Sequence, residues 1–528
     1  MAQTLIKNVL VIDGTNTKPY QADIIIKDDK IYEIGKVSSF SGKVIDGTNK
    51  IICPGFIDIH THSDFTIHFD NRAESQIRQG VTTQVVGLCG YSNAPLTKET
   101  QKEILVPSTI QPTWNSFKEY LTTIEENKTA TNIACLVGHG TLRILAMPQG
   151  SRIREANLDE IKIMQNLLAK CFEEGAIGLS TGLEYFPGKA AKNFELLQLL
   201  DIVKEYNTYH SCHTKNRDLF ALSSFTELIE IAHISKSKLQ ISHVNCKYGR
   251  SDNIMKNFLT VCNWYREEGV QIGMDVIPSI WNHANITALL PSWALDLSIP
   301  KLLSALEDTT LHTKLMHNDE PFMQLHVQNQ WDKIYIFDAV IHKENIGKTI
   351  AQLSEEFYLS PWETIFKLLI DEKEQLHSLM FTGECFNRND IITALSDPYC
   401  CVCSDSIAQA SDGPTSTMRI TPDSFTWAER FINDYTQKEK ILSLQEAIYK
   451  LTHLPAQLAN IKERGCIKEN YYADLVLIDI NKLSDQATFQ NFNSYPEGIE
   501  LVMVNGTTVF ENGKRSSQLP GKIIKHNA

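Results

Sequence analysis

Six side chains able to bind a metal ion or move a proton close separate apolar runs of this chain: His60, His62, Cys89, His213, His243 and Asp405. The first two end the run Gly55-Phe56-Ile57-Asp58-Ile59-His60-Thr61-His62. In an extended strand, residues i and i+2 share a face, so this spacing aims two imidazoles at one point. Imidazole, thiolate and carboxylate in one set suit Zn2+, a borderline-soft ion, whereas Ca2+ and Mg2+ would call for oxygen donors. Asp405 has a second role open to it. A carboxylate beside a metal-activated water can take its proton and pass it to a leaving group, because the ion lowers the pKa of that water to about 7. Ser404-Asp405-Ser406 also reads as a helix N-cap, which leaves a structural part open.

His139, in Gly138-His139-Gly140, ends a further run. Flanking glycines let backbone come close to a ligand, so this imidazole is a candidate for bonding the reacting oxygen or for supporting the groups that do. The stretch Gly178–Gly188 is glycine-rich but lacks the Gly-Lys-Ser/Thr of a phosphate-binding loop, and reads as a tight pocket wall.

Elements must bring these residues together. Eight β-like runs end near His62, Cys89, His139, Thr181, His213, His243, Asp275 and Asp405. Amphipathic helices lie between several of them, over about 158–172, 192–206, 220–236 and 254–268. In the first, Leu158, Ile161, Met164, Leu167, Leu168, Cys171 and Phe172 form the apolar face. Ser360-Pro361-Trp362-Glu363 and Ser443…Glu446 are capping boxes. Eight strand–helix alternations predict an α/β fold, a (β/α)8 TIM-like barrel over 55–410, with functional groups at the C-terminal ends of its strands. The interval after Asp275 is too long for one strand–helix unit, so about 286–350 reads as an inserted lid. Short strands with Asn/Asp-Gly turns recur over 4–50 and 465–515, predicting a small β-sandwich built from both termini, with 1–54 and 411–528 as its boundaries together with the C-terminal helices.

Bulk composition narrows the function. With 528 residues, 42% hydrophobic and 21% charged, the chain is an ordinary globular one. A net charge of −13 argues against nucleic-acid and anionic-membrane partners and leaves a small molecule. No run reaches the roughly 20 apolar residues of a membrane helix, and the N-terminal residues lack a signal-peptide core. Twelve cysteines without regular spacing predict reduced thiols and a cytoplasmic location, with Cys400, Cys401 and Cys403 as small buried hydrophobes.

Pro54-Gly55-Phe56-Ile57-Asp58-Ile59-His60-Thr61-His62 resembles the metal motif of the amidohydrolase superfamily. Gly80-Val81-Thr82-Thr83 with Val86-Gly87-Leu88-Cys89-Gly90-Tyr91-Ser92-Asn93-Ala94-Pro95 is similar to its D-aminoacylase (N-acyl-D-amino-acid deacylase) branch, which uses a cysteine where others often use a carboxylated lysine. Gly138-His139-Gly140, Ile241-Ser242-His243, Leu289-Leu290-Pro291-Ser292-Trp293-Ala294 and Ala473-Asp474-Leu475-Val476 extend the likeness over nearly the whole chain. The resemblance implies zinc-dependent hydrolysis of a linear amide, an N-acyl-D-amino acid or related N-acyl compound. By motif match, Cys89, His213 and His243 would hold a tightly bound zinc, His60 and His62 would serve a second, weaker position, and Asp405 would be the general acid/base.

The chain departs from that branch where the substrate carboxylate is gripped. A lysine usually stands two residues after the His243-type histidine; here it is Asn245. Asn245, Arg143 and Lys215 are the candidate substrate-binding residues, with Arg217, Arg250 and Arg419 as further cations. Two other readings stay open: a cyclic amide hydrolase of the hydantoinase or dihydroorotase type, against which Cys89 argues, and a non-catalytic metal-binding barrel.

Overall fold

Runs of buried Val, Ile and Leu alternating with one-faced helices leave the chain one economical solution, parallel strands covered by helices. The computed structural model describes residues 3–97, 100, 113–148, 154–247, 253–295, 297–318, 323–421, 423–488 and 491–526. Strands Phe56–Asp58, Val81–Val86 and Asn132–Cys135 pair in parallel, in that order. Val137–Gly138, Gly178–Gly182, Tyr209–His213, Lys238–Ile241, Ile272–Val276 and Cys400–Val402 form a second parallel series. Every residue of Gly178–Gly182, Tyr209–His213 and Ile272–Val276 is buried, as a sheet covered on both faces requires.

The segments that follow the first and last of these strands meet. Thr61 forms a parallel bridge with Ser406, Asp405 N donates to His60 O at 3.0 Å and His62 N to Ser406 O at 2.7 Å. The buried Asp58 carboxylate clamps the seam, accepting from Ser404 N and Oγ at 3.1 and 2.6 Å. Burial pushes its pKa up to about 7, against those hydrogen bonds.

Helices follow the strands where periodicity puts them: Leu158–Glu173, Asn193–Glu205, Ala221–Ser235 and Ile254–Glu267. The first starts in a capping box between Asn157 and Glu160 and buries Ile161, Met164, Leu168, Cys171 and Phe172. Leu158, counted on that face by periodicity, is exposed, because the first turn overhangs the packed surface. Capping boxes at Ser360/Glu363 and Ser443/Glu446 both form.

Between Val276 and Cys400, strands Trp281–Asn285, Ile334–Asp338 and Met380–Glu384 make a separate antiparallel sheet, extending on both sides of 286–350. The chain's ends share a nine-stranded sheet that includes Gln3–Val11, Tyr20–Lys27, Ile51–Pro54, Leu475–Ile478 and Ile499–Val504. It carries its own core of Ile6, Val9, Ile24, Ile52, Leu475, Leu501 and Met503. The stretch 411–528 is divided between the two bodies. Helix Leu444–Leu451 packs its buried Ala447, Ile448 and Leu451 toward the central strands, and Ile523–Ile524 pairs with Asn132–Cys135. Among the described residues, no helix is long and apolar enough to cross a membrane. All twelve cysteines are free and buried.

Candidate metal centre

The site is assembled from short segments that leave the C-terminal ends of the parallel strands. His213 is the last residue of its strand, while His60, Cys89, His243 and Asp405 stand two or three residues beyond theirs. Cys89, His243 and Asp405 have φ of 53, 30 and 47°, the left-handed region that costs a residue bearing a Cβ. These three kinks turn the side chains inward, and the surrounding hydrogen bonds hold them there. No helix starts at Asp405, so it caps nothing.

Cys89 is central. Its Sγ lies 3.2 Å from His60 Nε2, 3.4 Å from His243 Nε2 and 3.6 Å from His213 Nδ1. Asp405 Oδ1 lies 3.4 Å from His60 Nε2 and 3.3 Å from His62 Nε2, and its Oδ2 4.0 Å from His243 Nε2. Donors of a tetrahedral zinc site stand roughly 3.3–3.8 Å apart, given metal–ligand bonds of about 2.0–2.3 Å. The distances from Cys89 to His213 and to His243 fit that spacing, and the three donor atoms all lie within 4.8 Å of one another. His60, His62, Cys89 and Asp405 make a second, overlapping group whose ligand atoms all fall within 4.8 Å of one another.

The charges agree with a cation's place. Burial would raise the Cys89 thiol, but the neighbouring His60 and His243 charges and the His213 hydrogen bond hold it well below its usual value. Burial opposes a proton on His62, yet hydrogen bonds to Asp405 and Cys89 raise it to about 10. Asp405 is held below the usual carboxylate range, against burial, by His243 and His62. Protons stand where a metal would otherwise neutralise thiolate and carboxylate.

A cavity of about 480 Å3 opens over these groups. His62, Cys89, His213, His243 and Asp405 line it together with Tyr185, Arg217, His283 and the apolar Phe65, Ile407, Met418 and Ile420.

The sequence profile described as the amidohydrolase family matches residues 403–510. Over 98% of its length the chain is 27% identical to N-acyl-D-glutamate deacylase of Alcaligenes xylosoxydans xylosoxydans, covering 95% of that protein. It is 26% identical to D-aminoacylase of the same organism, covering 98% of this chain and 96% of that one. The crystal structure of N-acyl-D-glutamate deacylase from Bordetella bronchiseptica, complexed with zinc and a phosphonate inhibitor that mimics the reaction's tetrahedral intermediate, superimposes with a TM-score of 0.80. That match is at 24% identity and covers 99% of each chain, so it speaks for the fold.

Along almost its whole length the chain is similar to deacylases of the D-aminoacylase branch of the amidohydrolases.

Other candidate residues lie away from this cluster. His139 Nε2 bonds Glu195 Oε1 at 2.7 Å, and Arg143 bonds the other oxygen of the same carboxylate. All three are buried off the cavity wall, because a buried guanidinium and carboxylate satisfy each other. Lys215 Nζ goes to Glu227 Oε1 at 2.7 Å and Asn193 Oδ1 at 3.1 Å. Asn245 spends its amide on backbone, donating to Ile277 O at 2.9 Å and accepting from Ile277 N at 2.8 Å. Arg419 Nε donates to Phe337 O at 3.1 Å, and Arg250 lies outside the described residues.

Sequence reasoning passed over the partners of the ligands. Glu184 Oε2 takes His213 Nε2 at 2.7 Å, and Lys247 Nζ meets both Glu184 oxygens at 2.7 and 2.9 Å. Asp275 Oδ1 accepts from His243 N at 2.7 Å and lies 3.4 Å from His60 Nδ1. Tyr185 donates to Cys89 O at 2.7 Å and sets its ring edge-on to His213 at 4.9 Å. Only the strand-end position of Asp275 and the Gly182-Leu183-Glu184-Tyr185 loop signalled them in the sequence.

Proposed function

We propose that the protein is a zinc-dependent deacylase of N-acyl-D-amino acids or closely related N-acyl compounds. The observation that carries this reading is the meeting of Cys89, His213 and His243 at one point with the Asp405 carboxylate over them, on the wall of one cavity. Similarity to N-acyl-D-glutamate deacylase and D-aminoacylase along almost the whole chain supports the substrate class.

Cys89, His213 and His243 would hold one zinc tightly, and His60 and His62 with Asp405 would serve a second, weaker position. Zinc bound there supplies Lewis acidity toward the amide carbonyl and makes a neighbouring water more acidic. Asp405 takes the proton from the attacking water and returns it to the departing nitrogen, which leaves as an amine. Its depressed pKa keeps it a base before attack. Glu184 fixes the His213 ring by accepting from Nε2, so that Nδ1 faces the ion. Asp275 sets a carboxylate 3.4 Å from His60 Nδ1 and pins the His243 backbone.

This reading includes a (β/α)8 barrel closed between the first and last parallel strands, which the Thr61–Ser406 bridge supports. The segment around 286–350 then acts as a lid, the terminal sheet as a small β-sandwich, and the cytoplasm, suited to twelve free thiols, as the location. The test is a screen of zinc-loaded protein against N-acetyl-D- and L-amino acids, short dipeptides and cyclic imides, with and without a chelator. Chelator-sensitive release of acetate from D-substrates is the expected result; turnover of cyclic imides alone would refute it.

A further inference from the structure

The anion-binding group of this site is not where the family resemblance would put it, because Asn245 occupies the lysine position and its amide is used on Ile277. Arg143, Lys215 and Arg419 are also turned to other partners. Among the described residues, Arg217 is the only lysine or arginine that lines the cavity.

Its environment is that of a cation waiting for an anion. Arg217 is 4% exposed. Nη1 donates to His243 O at 3.0 Å, and the buried Nε has no partner. The nearby Glu184 carboxylate is bonded by His213 Nε2 and by Lys247, so its hydrogen bonds go elsewhere than to Arg217. A buried N–H without a partner is costly, and a guanidinium is shaped to recover that cost by taking a carboxylate. Its anchor on the His243 carbonyl fixes it relative to a metal ligand, which also fixes the distance from reacting carbonyl to bound carboxylate.

We infer that Arg217 is the specificity-determining cation of this site, binding the α-carboxylate of an N-acyl amino acid whose side chain is apolar. The inference rests on the deacylase reading. The side-chain class follows from the rest of the cavity: Phe65, Tyr91, Ile407, Met418 and Ile420 offer apolar surface, and among the described residues no second lysine or arginine lines the wall to hold an acidic side chain. An acidic side chain would be desolvated there with no counter-charge.

The experiment compares kcat/KM of the zinc-loaded enzyme on N-acetyl-D-leucine, N-acetyl-D-leucinamide and N-acetyl-D-glutamate, in wild type, Arg217→Met and Arg217→Lys, with zinc content measured for each. The expected wild-type order puts the leucine derivative first. Arg217→Met should lower the leucine-to-leucinamide ratio about 10- to 100-fold, mainly through KM, as loss of a charged hydrogen bond predicts. Arg217→Lys should retain part of the ratio, and because a ratio is read, a variant that folds less well still reports. An unchanged ratio in both variants, or a preference for the glutamate derivative, overturns the inference while the deacylase reading stands. Absence of turnover of every N-acyl-D-amino acid overturns both.

Discussion

Glu184 and His213 are joined by a 2.7 Å hydrogen bond at Nε2, on the opposite side of the ring from the nitrogen that faces Cys89. This bond sets the tautomer and the ring plane together. Glu184→Gln should weaken zinc retention about 10- to 100-fold, the usual cost of losing such a partner. Competition against a chromogenic chelator measures it; undiminished retention would show the ring is held by other means.

Asp405→Asn keeps the shape of the side chain and removes its ability to carry a proton. It should lower kcat by about 100- to 10,000-fold while zinc at the Cys89 trio stays bound. Metal analysis of the inactive variant separates this from loss of the ion. Activity near wild type would remove Asp405 from its part in proton transfer.

Zinc uptake by the metal-free protein should release protons. His62 keeps its proton up to about pH 10 because Asp405 and Cys89 bond it against the pull of burial. An ion in the His60/His62/Asp405 group must displace that proton, so apparent affinity there rises with pH, by at most about tenfold per unit, and levels off near 10. Calorimetry in buffers of different ionisation enthalpy counts the protons. A buffer-independent heat at pH 7 would contradict the assignment.

Acid should destabilise the fold through histidines buried neutral. Burial pushes His210 down to about 3, and it shares a 2.8 Å hydrogen bond with Thr181. Its folded value lies below the unfolded one, so the unfolded chain binds the extra proton between about pH 6.5 and 3. Stability is complete above that window and falls as pH drops through it. Denaturant melts from pH 7 to 4 should give a flatter slope for His210→Gln, by up to about 1.4 kcal/mol per pH unit. Parallel slopes would mean His210 does not report the difference.

The residues that gather into the candidate metal centre were legible because strand ends are legible: an apolar run of limited length must stop, and His213 or Cys89 marks where. The ligands' partners were not. Glu184 reaches His213 across 29 residues and Lys247 reaches Glu184 across 63, pairings that no local pattern encodes. The bonding of His139 and Arg143 was hidden for the same reason, since the carboxylate that claims both comes from Glu195, more than 50 residues on. The central alternation of strands and helices was visible from periodicity. The return of Leu444–Leu451 and Ile523–Ile524 to the central strands was not, because an apolar helix face or a two-residue strand does not name the surface it will cover.

The seam at Asp58 and Ser404 joins residues 346 positions apart. Histidines contributed by one side of it therefore meet their carboxylate only after nearly four-fifths of the polypeptide has been made and folded back on itself. A chain stopped short of this point would carry Cys89, His213 and His243 but lack the carboxylate that faces them. The carboxylate is thus the last member of the cluster to be synthesised.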